Sequence, residues 1–434
     1  MRWILSIACL IALTWAAAAQ VIEVPLTYMK LPTEWDRFYP TGGSNWVLTE
    51  KPQRLPLTLP DLPKYSFQYS MFKVGETFFD VVLARSIRGN QCNYSLYVDT
   101  NGNGSVADEI PVTATTEIKS SFISKGFPSV DLRYPWAGKT YPFSVVFRVF
   151  QDAPTIGNMG GSSGNQTLYI RSNAVYTGET TLGGVKYKIT IGDAQFNGLL
   201  GDTLTAERRD DFVYCRGDMM MLATDDEKPD YYDSVYLSDY LMIGEDLYRV
   251  AVDFAETKLT LAAADITRAP MKIPTEVRRL EIAGSDGKTG AIAFLDPGSV
   301  VRIPAGSYQM MRYLLSRTEP AGDVWVLAAS ATARTLACTV DGSDAAEMAF
   351  GEPFSVQLTR QRLERMRLNE KDVYRLNMGA EGVAHEKVAT VRHKSGDKTK
   401  FPLSTTNPGS PAEPTYKIVT TEGEKLAEGT FEYG

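Results

Sequence analysis

Two short stretches carry the residue spacing that most directly suggests chemistry. The first is Asp99-Thr-Asn101-Gly-Asn103-Gly104-Ser105-Val-Ala-Asp108-Glu109. Oxygen-bearing side chains at alternate positions, closed by a glycine, are the wiring of a calcium loop. Side chains one, three and five turn inward, and the glycine at six lets the chain reverse. Position seven offers a backbone carbonyl, here that of Ser105. The second stretch is Asp193-Ala-Gln195-Phe-Asn197-Gly198-Leu-Leu-Gly-Asp202. Both read D-x-[NQ]-x-N-G-x-x-x-D. The candidate calcium ligands are therefore Asp99, Asn101, Asn103, Ser105 and Asp108, and then Asp193, Gln195, Asn197 and Asp202. Neither loop has the bidentate Glu that ends an EF-hand at position twelve; Ile110 and Leu204 stand there. Asp108 and Asp202 come two residues early. That departure points to a weak calcium staple between strands, not to a helix–loop–helix sensor. The competing reading, nearer for the second loop with its Gln195, is an Asx-turn hairpin in which Asp and Asn bond their own backbone.

The elements that must hold these loops read as β-strands. From Tyr65 onward, runs rich in Val, Tyr, Phe and Thr alternate with Gly, Asp and Asn turns. One pattern recurs at Val74-Gly75, Leu182-Gly183 and Ile243-Gly244: an apolar residue, a glycine turn, then an alternating strand. Two such places run on into the loops, which suggests a repeated strand–loop unit. A worn third loop lies at Asp225 to Asp233, without the glycine. The fold class expected is all-β, with several antiparallel sandwich- or barrel-like modules and EF-hand-like loops between strands. The divisions expected are 1–19, a signal peptide; 20–64, a proline-rich extended arm; 65–175 and 176–270, two β domains with a loop each; and 271–434, a C-terminal β-sandwich. Arg216-Gly217-Asp218 reads as a turn between strands. Arg360, Arg362, Arg365 and Arg367 read as a charged edge strand or linker, with a basic amphipathic helix as the alternative.

Two resemblances rest on short motifs. The turn Ile303-Pro304-Ala305-Gly306-Ser307-Tyr308 into a long strand resembles that of transthyretin-like and carboxypeptidase-regulatory-like β-sandwich modules. Together with Leu96-Tyr97-Val98-Asp99, Asp193 before Asn197-Gly198 and the closing Gly429-Thr-Phe-Glu-Tyr-Gly434, it is similar to uncharacterised secreted β-rich proteins of Planctomycetes and related bacteria. That resemblance implies an exported bacterial protein and carries no activity. In a bacterium the sequons at Asn93, Asn103 and Asn165 would have no meaning.

Bulk properties narrow the function further. Arg2, the apolar run to Trp15 and Ala17-Ala18-Ala19 have the build of a cleaved secretion signal, shorter than a membrane span. The formal charge is −7, and losing residues 1–19, which carry only Arg2, makes it −8. A mildly acidic chain is a poor candidate for a general nucleic-acid binder, because phosphate contacts need clustered Lys and Arg. Of the 4 cysteines, Cys9 falls within residues 1–19; the remaining Cys92, Cys215 and Cys338 are far apart and odd in number, so they make neither a disulfide framework nor a C-x-x-C site. They read as small buried hydrophobes. With only 2 His residues, a Ser-His-Asp triad has few bases to draw on. The function expected is a secreted, non-catalytic, calcium-stabilised β-module protein. It would bind or scaffold at the cell surface, with carbohydrate or a cell-surface component as partner and no membrane span. The alternative is a secreted glycoside-type hydrolase using carboxylates on β loops. Its densest candidate cluster is Asp225, Asp226, Glu227, Asp230 and Asp233 among tyrosines.

Overall fold

A computed structural model describes residues 21–32, 40–54, 56–88, 91–119, 122–152, 167–224, 233–286, 289–320, 322–342, 344–368, 371–393 and 410–431. The expected signal peptide at 1–19, the expected loop at 157–165 and the acidic cluster up to residue 232 lie outside them. Among the described residues every regular element is a β-strand. The all-β expectation holds, and the sheets are several and mostly antiparallel.

Three sheets converge on the second loop. A four-stranded meander runs Ser66–Val74, Thr77–Arg88, Gln91–Val98 and Val112–Thr113. A five-stranded sheet is built on the long hairpin of Phe122–Trp136 and Lys139–Asp152. A second five-stranded sheet holds Ala174–Leu182, Val185–Gly192 and Met219–Ala223. Their inner faces meet in one aromatic core, where Phe72 stacks on Phe79 at 5.4 Å and meets Phe147 and Phe196. Alternation along each strand sends every second side chain into that core.

The described parts of the 20–64 segment are extended, as its prolines require, and they are also paired. Val21–Pro25, Thr27–Lys30 and Gly43–Val47 form the edge strands of three different sheets. Edge positions tolerate proline because one side of the backbone needs no partner. The arm thus covers edges that would otherwise be open to other chains.

The expected boundary near residue 270 is crossed by backbone pairing. A 12-stranded sheet joins Tyr240–Ile243 and Asp246–Asp253 to Val277–Gly284 and Gly306–Thr318, through a parallel pair with Ile292–Leu295. Residues before and after 270 also share a second core around Tyr308, Tyr313, Phe294 and Met271. Pro270, at the expected boundary, sits inside the short strand Arg268–Lys272. In the turn that resembles transthyretin-like modules, the fully buried Tyr308 donates its hydroxyl to the Pro304 carbonyl at 3.0 Å. The arginine-rich run lies within Ser355–Leu368, the edge strand of the 12-stranded sheet, so the strand reading stands and the helix does not.

The three glycine turns are two-residue hairpin loops. Gly75, Gly183, Gly184 and Gly244 all have positive φ, which their side-chain-free backbone permits at no steric cost. The repeat is looser than expected, however. Asp193 directly follows the strand after its glycine turn, but Gln91–Val98 intervenes before Asp99.

Candidate functional site

The two loops share one backbone plan. In the first, Asp99 Oδ1 accepts from Asn103 N–H at 3.1 Å and Oδ2 from Gly104 N–H at 2.9 Å. In the second, Asp193 Oδ1 accepts from Asn197 N–H at 3.2 Å and Oδ2 from Gly198 N–H at 2.6 Å. The position-five oxygens of Asn103 and Asn197 each accept from the N–H two residues on, at 2.8 Å in both loops. Their amide nitrogens donate to the closing carboxylates, Asn103 to Asp108 at 2.9 Å and Asn197 to Asp202 at 2.6 Å. Positive φ falls at positions four and six in both: Gly102 at 71° and Gly104 at 77°, Phe196 at 57° and Gly198 at 82°.

Each predicted ligand can be placed on this plan. In the first loop Asn101 joins the cluster, its oxygen accepting from Asn103 N–H at 3.0 Å and its nitrogen donating to Asp108 at 3.2 Å. The Ser105 hydroxyl accepts from Ala107 N–H at 3.2 Å. Asp99, Asn101, Asn103 and Asp108 are therefore gathered around one point. Hydrogen bonds from Asn103, and then Ser105, hold the Asp108 carboxyl below the usual range. In the second loop Asp193, Asn197 and Asp202 gather in the same way, but Gln195 does not. Its side-chain nitrogen donates instead to the Gly217 carbonyl at 3.4 Å.

The surroundings differ sharply. The first loop lies at the surface, with Asn101, Asn103 and Asp108 exposed and only Asp99 and Val106 buried. The arm crosses it: Thr58 N–H donates to the Gly104 carbonyl at 3.0 Å, and Val106 N–H to the Thr58 carbonyl at 2.9 Å. Arg54, also from the arm, lies 2.7 Å from Asp80 and 3.5 Å from Asp99, both fully buried carboxylates. Burial pushes the Asp80 carboxyl up, and the Arg54 charge pulls it back.

The second loop is buried in the three-sheet core. Phe196, its fourth residue, packs on Phe72 at 5.8 Å and on Phe143 at 5.6 Å. Gly75 N–H donates to the Asn197 carbonyl at 2.7 Å, Gly42 N–H to the Asp193 carbonyl at 3.0 Å, and the Tyr134 hydroxyl to the Gly198 carbonyl. Asp218, which the sequence places merely in a turn, is a member of this site. It is fully buried and accepts from the backbone N–H groups of Ala194, Gly201 and Asp202 at 3.3, 2.8 and 3.1 Å. Among the described residues no basic side chain pairs with Asp193, Asp202 or Asp218. Burial pushes Asp193 up to about 6, with the Asp202 charge adding to it. Burial, then the charges of Asp193 and Asp202, push Asp218 up to about 8. The signal that could have found Asp218 is an Asp just before an apolar run, Met219 to Leu222, too common to act on.

The donor set fits a hard cation. It combines carboxylate and amide oxygens that keep further lone pairs after their backbone hydrogen bonds. Among the described residues no group of three or more His, Cys, Asp or Glu is placed to hold a metal ion. A zinc-type site thus has no candidate there, and Asp193, Asp202 and Asp218 share a neighbourhood without forming a three-carboxylate cage. Of the sequence's acidic cluster, only Asp233 is described. Cys215 and Cys338 are free and half-buried; burial pushes the Cys215 thiol up to about 12, as expected of an inert thiol.

Comparison with protein-family models, with curated proteins and with solved structures finds no match to this chain. No helix among the described residues is long and apolar enough to cross a membrane, which leaves β-barrel spans unaddressed.

Proposed function

We propose that this is an exported, non-catalytic β-module protein whose D-x-[NQ]-x-N-G loops take up calcium and staple its sheets, and that it serves as a binding or scaffolding component outside the cytoplasm. The observation that carries the reading is the convergence of Asp99, Asn101, Asn103 and Asp108 on one point. The repetition of the same hydrogen-bond plan at Asp193 to Asp202 supports it. Calcium takes about six to eight oxygens in irregular geometry, whereas magnesium demands a tight octahedron. Side-chain oxygens, the Ser105 carbonyl and water could complete such a shell at the first loop. The absent position-twelve Glu makes the affinity weak, and millimolar calcium outside the cell would still fill the site.

The test is a calorimetric calcium titration of the full chain, with magnesium as the control. Saturable calcium binding in the high micromolar to millimolar range is expected, lost from the first loop in Asp108→Asn. Absence of calcium heat, or equal magnesium heat, would remove the reading.

A further inference from the structure

The C-terminal part carries a pocket whose lining includes no residue of either loop. It has a volume of about 370 Å³, within the range of small-molecule sites. Its floor is one face of the 12-stranded sheet. Leu315, Leu327 and Val391 stand side by side on three neighbouring strands, and Arg317 and Trp325 form the next row. Phe354 and Pro411 close the sides.

The polar rim is built around one guanidinium. Arg317 donates from Nε and Nη2 to the two oxygens of Glu276, at 3.0 and 2.8 Å, and its Nη1 lies 2.9 Å from Glu352. These side chains are about half exposed, so the pairing adds little to stability. What it does is fix geometry. A bidentate Arg–carboxylate array presents planar donors and acceptors at set spacing. Each carboxylate keeps spare lone pairs, and the guanidinium keeps spare N–H groups. A cation meets a slot Arg317 already fills, and an anion meets Glu276, Glu319 and Glu352. A neutral ligand with one apolar face and several hydroxyls on its edge matches both the indole floor and the rim.

We infer that this pocket binds a neutral pyranose, stacked on Trp325 with its hydroxyls on the Glu276–Arg317–Glu352 array. The inference goes beyond the calcium reading and does not depend on it.

The experiment is a titration of the full chain, followed by saturation-transfer NMR. The probes are the methyl glycosides of glucose, galactose, mannose and N-acetylglucosamine, and their β-1,4- or α-1,4-linked disaccharides. Hexylammonium chloride and sodium hexanoate are the charged controls, and every titration is run in calcium and in chelator. At least one sugar is expected to bind at millimolar affinity or tighter in both conditions, at least tenfold better than either control. Trp325→Leu keeps the site apolar but removes the aromatic face, and should weaken binding at least tenfold. The double variant Glu276→Gln/Glu352→Gln should do the same, and it serves if Trp325→Leu does not fold. No binding by any sugar, equal binding of hexylammonium, or affinity unchanged in the variants would overturn the proposal. Binding lost only in chelator would also overturn its independence from the loops.

Discussion

The two D-x-[NQ]-x-N-G loops share one hydrogen-bond plan and have opposite electrostatic solutions. At the surface loop, Arg54 reaches in from the arm and offsets the buried Asp80 and Asp99. At the core loop, Asp193, Asp202 and Asp218 face one another with no basic partner among the described residues. Their charge is met by backbone N–H groups and, at Asp202, by the Asn197 amide, and burial raises two of them. Position four shows the same divide. Gly102 is exposed at positive φ, whereas Phe196 takes that unfavourable backbone and fills the core with its ring. The strain of a bulky residue there, about 1 kcal/mol or more, is offset by packing. One short plan can thus be a detachable clip or a keystone, depending on what covers it.

The comparison is most easily broken at the glycines and at Arg54. In the core loop, a Cβ on Gly198 would lie 2.3 Å from Val74 Cγ1 and 3.2 Å from the Gly75 nitrogen, at φ 82°. Gly198→Ala should therefore cost about 3 kcal/mol or more, or prevent folding, read by denaturant unfolding. Next in size is Arg54→Met. It leaves Asp80 and Asp99 as buried, unoffset carboxylates and should cost about 2 kcal/mol in chelator. Added calcium should restore part of that loss, because the ion would supply the missing charge. If calcium restores nothing, the first loop is not the electrostatic counterpart of the second.

The core loop predicts a pH dependence whose sign is fixed by its raised carboxyls. Asp193 and Asp218 bind protons more tightly in the folded state than in the unfolded one, where Asp titrates near about 3.9. The stability they contribute is present below that value and is lost as pH rises to about 8. In chelator the melting temperature should therefore fall between pH 5 and pH 8, and calcium should flatten the fall by favouring ionised carboxylates. The smallest effect is Gly104→Ala, whose nearest contact would be the Pro56 carbonyl at 3.5 Å. Only the positive φ is then strained, for about 1 kcal/mol. Equal costs at Gly104 and Gly198 would erase the distinction between clip and keystone.

What could be read from the sequence was local. The loops and the glycine hairpins announce themselves within ten residues, because turn chemistry and strand alternation are short-range; the run at Arg360 left strand, linker and helix open. Asp218 could not be found, since it joins the second loop only through tertiary packing 16 residues beyond Asp202. Gln195 shows the reverse case. Its position fits the pattern, but its extra methylene lets the neighbouring Gly217 carbonyl capture it. The arm's pairing with three sheets and the sheet that crosses residue 270 are likewise non-local. A Pro-rich segment declares that it is extended and does not say which edges it will cover. The pocket at Trp325 gathers residues from 276 to 411, a span no motif encodes.

The central claim is that calcium staples these sheets, and thermal unfolding of the full chain tests it directly. Melting at pH 7.5 would be followed in millimolar calcium and in excess chelator. At about twentyfold over Kd, binding to the native state adds about 1.8 kcal/mol per site, enough to raise the melting temperature by a few degrees. Higher melting in calcium, absent with magnesium, is the predicted result; superimposable curves in calcium and chelator would contradict it.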